Sequence, residues 1–398
     1  MCAPTQATMQ ALTLHPKSLS IQVEQLSIPV PGRDELLIRV AAVALNPVDW
    51  MFAAHPIATQ ERRVLGTDFA GTVVDRGSAT EAQGIPIGTR VAGFLQGACS
   101  TNERPGAFAE YVTIPWDLVW HVPSHLSLEQ AASISMCGLT AAQAVFGRLG
   151  LPCPFSTSLP PTSPIPSSAE PLNILVYGSS TSLGLYTAQL LHLFSQASSL
   201  PIRLIGAASP SKHSPLQQKP YSYTALVDYR SHTWVSDVLS LTNGRGVDYA
   251  VDCISEGSTV VQVERTFGPR GRKLAVIRAP ANGGYDTSAM RVKPAYGAVW
   301  EGLGVEVGFL NGLTIPANPQ ARKFAVDFYK FLSSGAERGE SMLEPNLVRI
   351  MPGGLSRIAS DGFALLGSIR VSEREASDRS EDYMRPISME KLVYPLTS

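Results

Sequence analysis

The chain has 398 residues, with 32 Lys and Arg against 33 Asp and Glu, and a net charge of −1. That balance argues against a nucleic-acid binder or a charged tail, and no apolar run approaches the roughly 18 residues that span a bilayer. Cys2, Cys99, Cys137, Cys153 and Cys253 stand singly, without a C-x-x-C pair. This suits a reducing compartment. The start, Met1-Cys-Ala-Pro-Thr, lacks a basic-then-apolar leader, so the chain reads as soluble and cytoplasmic. Its length allows about two domains.

The first part reads as β-rich. Strand-type runs cover Gln6 to Leu14, Ser20 to Leu26 and Glu35 to Val43, with Pro29, Pro31 and Gly32 as turn residues before the third. Ala44-Leu-Asn-Pro-Val-Asp-Trp50 follows. Val64 to Val74, Gly88 to Phe94 and Gly106 to Val112 continue the strand pattern. Leu126 to Leu149 changes to helical spacing; Ser127 can start it, but with Glu129 the capping-box offset is not met. Residues 152–171 are rich in Pro and Ser and read as a surface loop.

Asn173-Ile-Leu-Val-Tyr-Gly-Ser-Ser-Thr-Ser-Leu-Gly184 is a short apolar strand, a glycine turn and the opening of a helix. Such a turn aims backbone N–H groups and a helix N-terminus at one point, which suits a pyrophosphate. The spacing Gly178…Gly184 is not the strict G-x-G-x-x-G, so an ordinary strand-to-helix turn fits this segment as well. Further short strands are expected at Ile202–Ala208, Ala225–Tyr229, Tyr249–Ile254 and Arg272–Ile277, with a sixth at Val305–Leu310. Strands alternating with helices imply a doubly wound parallel sheet, hence an α/β protein. Gln320 to Ser334 predicts an amphipathic helix ended by Gly335, and Lys391 to Leu396 a last strand.

Taken together, Asn46-Pro-Val-Asp49, Gly66-Thr-Asp-Phe-Ala-Gly71, Gly106-Ala-Phe-Ala-Glu-Tyr111, Gly138-Leu-Thr-Ala141, Tyr177-Gly-Ser-Ser-Thr-Ser182, Asp228-Tyr229 and Glu390-Lys-Leu-Val393 resemble the medium-chain dehydrogenase/reductase superfamily. The motifs run in family order across nearly the whole chain. With the Pro/Ser insert and Ser209-Pro-Ser-Lys-His213, the chain is most similar to the stand-alone trans-acting enoyl reductases of fungal polyketide synthases. The resemblance implies a GroES-like catalytic domain from residues 1–130 and 318–398. It implies a Rossmann domain from 131–317.

Zinc-dependent members of that superfamily use Cys, His and Glu ligands, and the equivalent positions here carry Asn46 and Gly66-Thr-Asp68. A catalytic zinc wants three such ligands, so no metal is expected. The resemblance implies dinucleotide contacts from Asn46, Pro47, Val48 and Asp49 at the nicotinamide. It implies others from Gly178, Ser179, Ser180, Thr181, Ser182, Leu183, Ser209, Pro210, Lys212, His213, Tyr229, Ile277, Val393 and Tyr394. An NAD site would place a carboxylate after the second strand. Here Ser209, Lys212 and His213 stand there instead, which favours NADPH. Met136, Gly138 and Thr140 are implied at the substrate, with Thr140 a hydrogen-bond donor to the thioester carbonyl. Related enoyl reductases often carry a lysine where this chain has Met51, so the proton donor is open: His55, Thr140, a cofactor ribose hydroxyl or solvent.

The activity implied is NADPH-dependent reduction of an α,β-unsaturated thioester, delivered by a polyketide synthase or a hybrid with a peptide synthetase. A quinone or free-enone reductase and a non-catalytic NADPH-binding protein are the alternatives. A monomer is expected.

Overall fold

The computed structural model describes residues 7–57, 60–80, 83–159, 161, 170–309, 312–368, 370–374 and 379–396. The chain forms two compact units. One comprises Met1–Met136 with Leu303–Ser398, and the other Cys137–Gly302.

The unit made from both chain ends is built on a seven-stranded sheet. Its order is Leu347–Ile350, Glu390–Pro395, Glu35–Ala44, Asp68–Arg76, Arg90–Phe94 and Val119–His121, with Tyr111–Pro115 also paired to Glu35–Ala44. A smaller sheet joins Ser20–Ser27, Thr8–His15 and Arg63–Val64. The sequence run Gly106 to Val112 becomes strand only at Tyr111. Its first residues donate instead to the Val64–Gly66 turn: Gly106 N–H to Val64 O at 3.0 Å, Ala107 to Gly66 O at 3.0 Å and Phe108 to Leu65 O at 2.9 Å. Pro47–Ala54 is a helix, with Asn46 as its N-cap and Pro47 at the first helical position. Proline suits that position because the N–H it lacks has no intrahelical partner there.

Ser127 caps the helix Leu128–Ala132 in a full capping box, but with Gln130 rather than Glu129: Ser127 Oγ accepts from Gln130 N at 3.1 Å and Gln130 Oε1 from Ser127 N at 3.0 Å. The helical stretch then continues as Ser135–Ala142 and a π-turn, Gln143–Arg148. Of the Pro/Ser-rich loop, residues 160 and 162–169 lie outside the described residues.

The second unit holds the parallel sheet. Its order is Ala225–Val227, Ile202–Ala207, Leu172–Tyr177, Tyr249–Asp252, Lys273–Val276 and Pro294–Tyr296, and every neighbouring pair is parallel. Taken in chain order this is the 3-2-1-4-5-6 arrangement of a Rossmann sheet. Leu172–Tyr177 is buried at every position, which is why it reads as a continuous apolar run. The sixth strand is Pro294–Tyr296, not Val305–Leu310. An edge strand tolerates a leading proline because no partner needs that N–H. Val307–Gly308 instead pairs antiparallel with Thr314–Ile315, and Leu310 lies outside the described residues.

The amphipathic helix runs from Pro319 to Arg338 and ends at Gly339, which has φ +67°. Gly335 is inside the helix. A Cβ there would sit 2.6 Å from Glu340 O, so the glycine admits the returning chain rather than ending the helix.

Gly71 explains its own motif. It lies opposite a register shift between Val40 and Ala42, where a Cβ would stand 2.1 Å from Arg39 O. Backbone cannot yield as a side chain does, so Gly71→Ala is expected to destabilise the protein by about 1–3 kcal/mol. Thermal unfolding, with Tm lowered by several degrees, checks this.

Candidate active site

The glycine turn is held by its own backbone and hydroxyls. Gly178 adopts φ +74°. Its N–H and that of Ser179 both donate to Ala207 O, at 3.2 and 3.1 Å, and Ser179 Oγ donates to the same oxygen at 3.1 Å. Thr181 caps the helix Ser182–Ser198: its Oγ1 accepts from Gly184 N at 3.1 Å and donates to Gly178 O at 2.8 Å. A Cβ on Gly184 would lie 2.5 Å from Gly178 O, so helix and turn meet as closely as a bare backbone allows. Ser182 and Leu183 stand in the first helical turn, where N–H groups have no intrahelical acceptor and the helix dipole favours an anion. These residues fit the pyrophosphate of a dinucleotide. Ser179 spends both its N–H and its hydroxyl on Ala207 O, so it builds the turn and offers no donor to a ligand.

Ala207, which receives the turn, also ends the second strand and leads to Ser209. Ser209 opens a short turn, Pro210–Lys212. His213 bonds Ala208 O through Nε2 at 3.0 Å, which fixes its imidazole within the loop. Lys212 is half-buried. The nearby carboxylate after the third strand, Asp228, is matched by Arg230 at 2.9 and 3.1 Å, and that guanidinium holds Asp228 below the usual carboxylate range. Tyr229 is exposed and meets Tyr177 edge-on at 6.1 Å, which leaves a ring face open to a base. Ile277 N–H donates to Ser255 Oγ at 3.0 Å.

A second polar cluster lies inside the other unit. Lys391 Nζ donates to Asn46 Oδ1 at 2.5 Å and to Asp68 Oδ2 at 3.2 Å. Asn46 Nδ2 donates to Asp68 Oδ2 and to Thr67 Oγ1, each at 2.8 Å. Asn46 N–H donates to Asp49 Oδ2 at 2.7 Å, which Thr67 Oγ1 approaches at 3.3 Å. Met136 N–H donates to Asp68 Oδ1 at 2.9 Å. Asn46, Asp49, Thr67, Asp68 and Lys391 are all buried. Burial pushes Asp49 up to about 7, against the bonds from Asn46 and Thr67. Burial also raises Asp68, with Lys391 pulling the other way. One ammonium thus balances one carboxylate, and Asp49 holds its proton toward neutral pH.

The sequence alone marks Thr67, Asp68 and Lys391 as motif members and gives them no role. The signal was present: Asp68 and Lys391 each stand at the start of a strand whose next residues are apolar, and a buried charge needs an opposite charge. Asp252 was also missed. It is fully buried at the end of its strand and accepts from Ile254 N, Ser255 N and Thr259 Oγ1 at 2.9, 2.8 and 2.7 Å.

The other expected residues fall as follows. Pro47 is exposed and Val48 half-buried, while Asn46 and Asp49 turn inward. Val393 and Tyr394 are fully buried in the last strand. Val393 pairs with Ala44 beside the cluster, and Tyr394 Oη donates to Arg357 O at 3.3 Å. Met136, Gly138 and Thr140 share the helix Ser135–Ala142; Thr140 is half-buried. His55 is exposed, edge-on to Trp50 at 6.1 Å. Among the described residues no group of three His, Cys, Asp or Glu is placed to hold a metal ion, and no helix is long and apolar enough to cross a membrane.

Comparison with known proteins matches residues 32–124 to the alcohol dehydrogenase GroES-like domain. The trans-enoyl reductase xenG of Xenoacremonium sinensis is 30% identical over 94% of this chain and 91% of its own. The trans-enoyl reductase ffsC of Aspergillus flavipes is 32% identical over 87% of this chain and 88% of its own. Among solved structures, the CurK enoyl reductase superposes with a TM-score of 0.66 at 16% identity, covering 98% of this chain and 99% of that one. An alcohol dehydrogenase superfamily protein from Novosphingobium aromaticivorans gives 0.69 at 17% identity, covering 98% of this chain and 100% of that one.

Asp49 makes stability depend on pH with a definite sign. The unfolded chain releases this proton near its ordinary value of 3.8, whereas the folded chain keeps it to about 7. Between those values the folded state binds more protons, so stability falls as pH rises, by up to about 1.4 kcal/mol per unit, and levels off above 7. Asp49→Asn keeps an oxygen for Asn46 N–H and does not titrate. Urea unfolding should show the variant gaining on the unaltered protein from pH 5 to pH 8. An equal difference at both pH values would contradict the assignment.

Proposed function

The chain belongs to the trans-enoyl reductases of the medium-chain dehydrogenase/reductase superfamily, and from that premise we propose that it uses NADPH to reduce an α,β-unsaturated polyketide thioester carried by a separate synthase. It is an oxidoreductase of nicotinamide type. The observation that carries the cofactor assignment is the Gly178–Gly184 turn, followed by a strand end bearing Lys212 rather than a free carboxylate.

In this reading Ser182 and Leu183 N–H groups bind the pyrophosphate. Lys212 and Ser209 take the 2′-phosphate, and Tyr229 packs on the adenine. Pro47 and Val48 meet the nicotinamide from a helix start held rigid by Asn46 and Asp49. When bound, NADPH supplies the hydride that reaches the β-carbon. Thr140 donates a hydrogen bond to the thioester oxygen, where negative charge develops. Met51 has no proton to give, and His55 is exposed beside Trp50. The α-carbon proton is left to Thr140, His55, a ribose hydroxyl or water. The acyl group arrives on the carrier protein of a polyketide synthase or a hybrid polyketide-peptide synthetase, and the enzyme acts as a monomer.

The test is NADPH oxidation with an enoyl thioester of a pantetheine mimic. Turnover is expected with the thioester; turnover of free quinones alone would transfer the protein to quinone reduction. Lys212→Ala should raise KM for NADPH about tenfold or more while leaving that for NADH unchanged, as expected for loss of one charged hydrogen bond to phosphate. Steady-state kinetics with both cofactors measures this.

A further inference from the structure

The last strand carries a lysine that the reaction scheme above does not use. Lys391 lies 345 residues after Asn46 in the chain, yet its ammonium is buried against that side chain. An ammonium only donates, so the Asn46 atom it meets is the carbonyl oxygen. The Asn46 amide nitrogen is then turned to Thr67 and Asp68, both at 2.8 Å. Backbone follows side chain, because Asn46 N–H and the Asp49 carboxylate close the first turn of the helix Pro47–Ala54 at 2.7 Å. Leu45 N–H donates to Leu392 O at 3.0 Å, so the strand bearing Lys391 also grips the chain just before Asn46.

We propose that Lys391 is a positioning residue for hydride transfer: its ammonium locks the Asn46 amide and thereby sets the Pro47–Val48 surface that meets the nicotinamide. The placement of the nicotinamide rests on the functional reading above; the locking of Asn46 does not. Removing one member of a buried ion pair leaves the other charge uncompensated and costs stability. The circular dichroism and thermal unfolding transition of each variant therefore separate loss of the ammonium from loss of the fold.

The experiment uses the full chain and compares Lys391→Met, Lys391→Ala and the unaltered protein. Expected for Lys391→Met are unchanged binding of 2′,5′-ADP, which lacks the nicotinamide, and a kcat for enoyl reduction at least tenfold lower. In Lys391→Ala, ethylammonium restores kcat in a saturable way, and ethanol, its neutral counterpart, does not. By NMR, the Asn46 side-chain amide hydrogens exchange slowly in the unaltered protein and fast in Lys391→Met. A kcat within threefold of the original, or a loss that ethylammonium fails to restore, overturns the positioning role. If the unaltered protein binds NADPH yet reduces no enoyl thioester, the functional reading fails. The Asn46 exchange rates then decide the locking by themselves. If Lys391→Met does not fold, Lys391→Ala with and without ethylammonium carries the same comparison for both kcat and exchange.

Discussion

A carboxylate cannot be buried alone, and the unit built from both chain ends is arranged around that constraint. Asp68 starts one strand and pairs with Ala44 at the end of another; Val393, on a third, also pairs with Ala44. The start of one strand and the end of another thus meet beside the third, and Lys391 on that third strand reaches the Asp68 carboxylate on the first. The strand order and the charge pairing support each other. A slip of the last strand by one residue would turn Lys391 to the opposite face and leave Asp68 uncompensated. Asn46 extends the constraint from sheet to helix, since it bonds both members of the pair and also caps Pro47–Ala54.

The Rossmann unit uses a more local logic. Its turn is stabilised by Ala207 O, Thr181 and two close-packed glycines, all within a few residues of the bend or on the adjacent strand. Polar side chains there are satisfied by backbone: Asp252 by two N–H groups and Ser179 by a carbonyl. Such a site presents preorganised N–H groups with no need for a long-range partner. One unit therefore places dipoles toward an anion, while the other holds a small segment of chain still through a buried cation.

The parallel strands and the glycine turn were legible because continuous Ile, Leu and Val runs followed by glycine have few other meanings in a chain that alternates strand with helix. What escaped was set by tertiary contact. Pro294–Tyr296 is too short and too proline-marked to read as a strand without its neighbour. Gly335 looked like a helix stop, yet only the returning Glu340 explains it. Gln130 completes a capping box that reading Glu129 in its place had denied to Ser127. Lys391 was visible as a motif letter, but its partner lies 323 residues earlier, and no periodicity carries information that far. The inward turn of Asn46 and Asp49, which leaves Pro47 and Val48 outward, likewise follows from the buried cluster rather than from the dipeptide's turn chemistry.

The strand Glu390–Pro395 follows every other strand of its sheet in chain order, yet it sits between Leu347–Ile350 and Glu35–Ala44 in the interior of that sheet. During synthesis the Rossmann unit, which is continuous in sequence, has all of its strands before the other unit has its last. Domains fold as they emerge. Asp68 and Asp49 therefore stay hydrated, and the slot beside Ala44 stays open, until the strand Glu390–Pro395 has emerged. For the ribosome-bound chain, the parallel-sheet unit matures first, and the unit bearing the Asn46 segment is completed later, by a strand made more than 340 residues after Asn46.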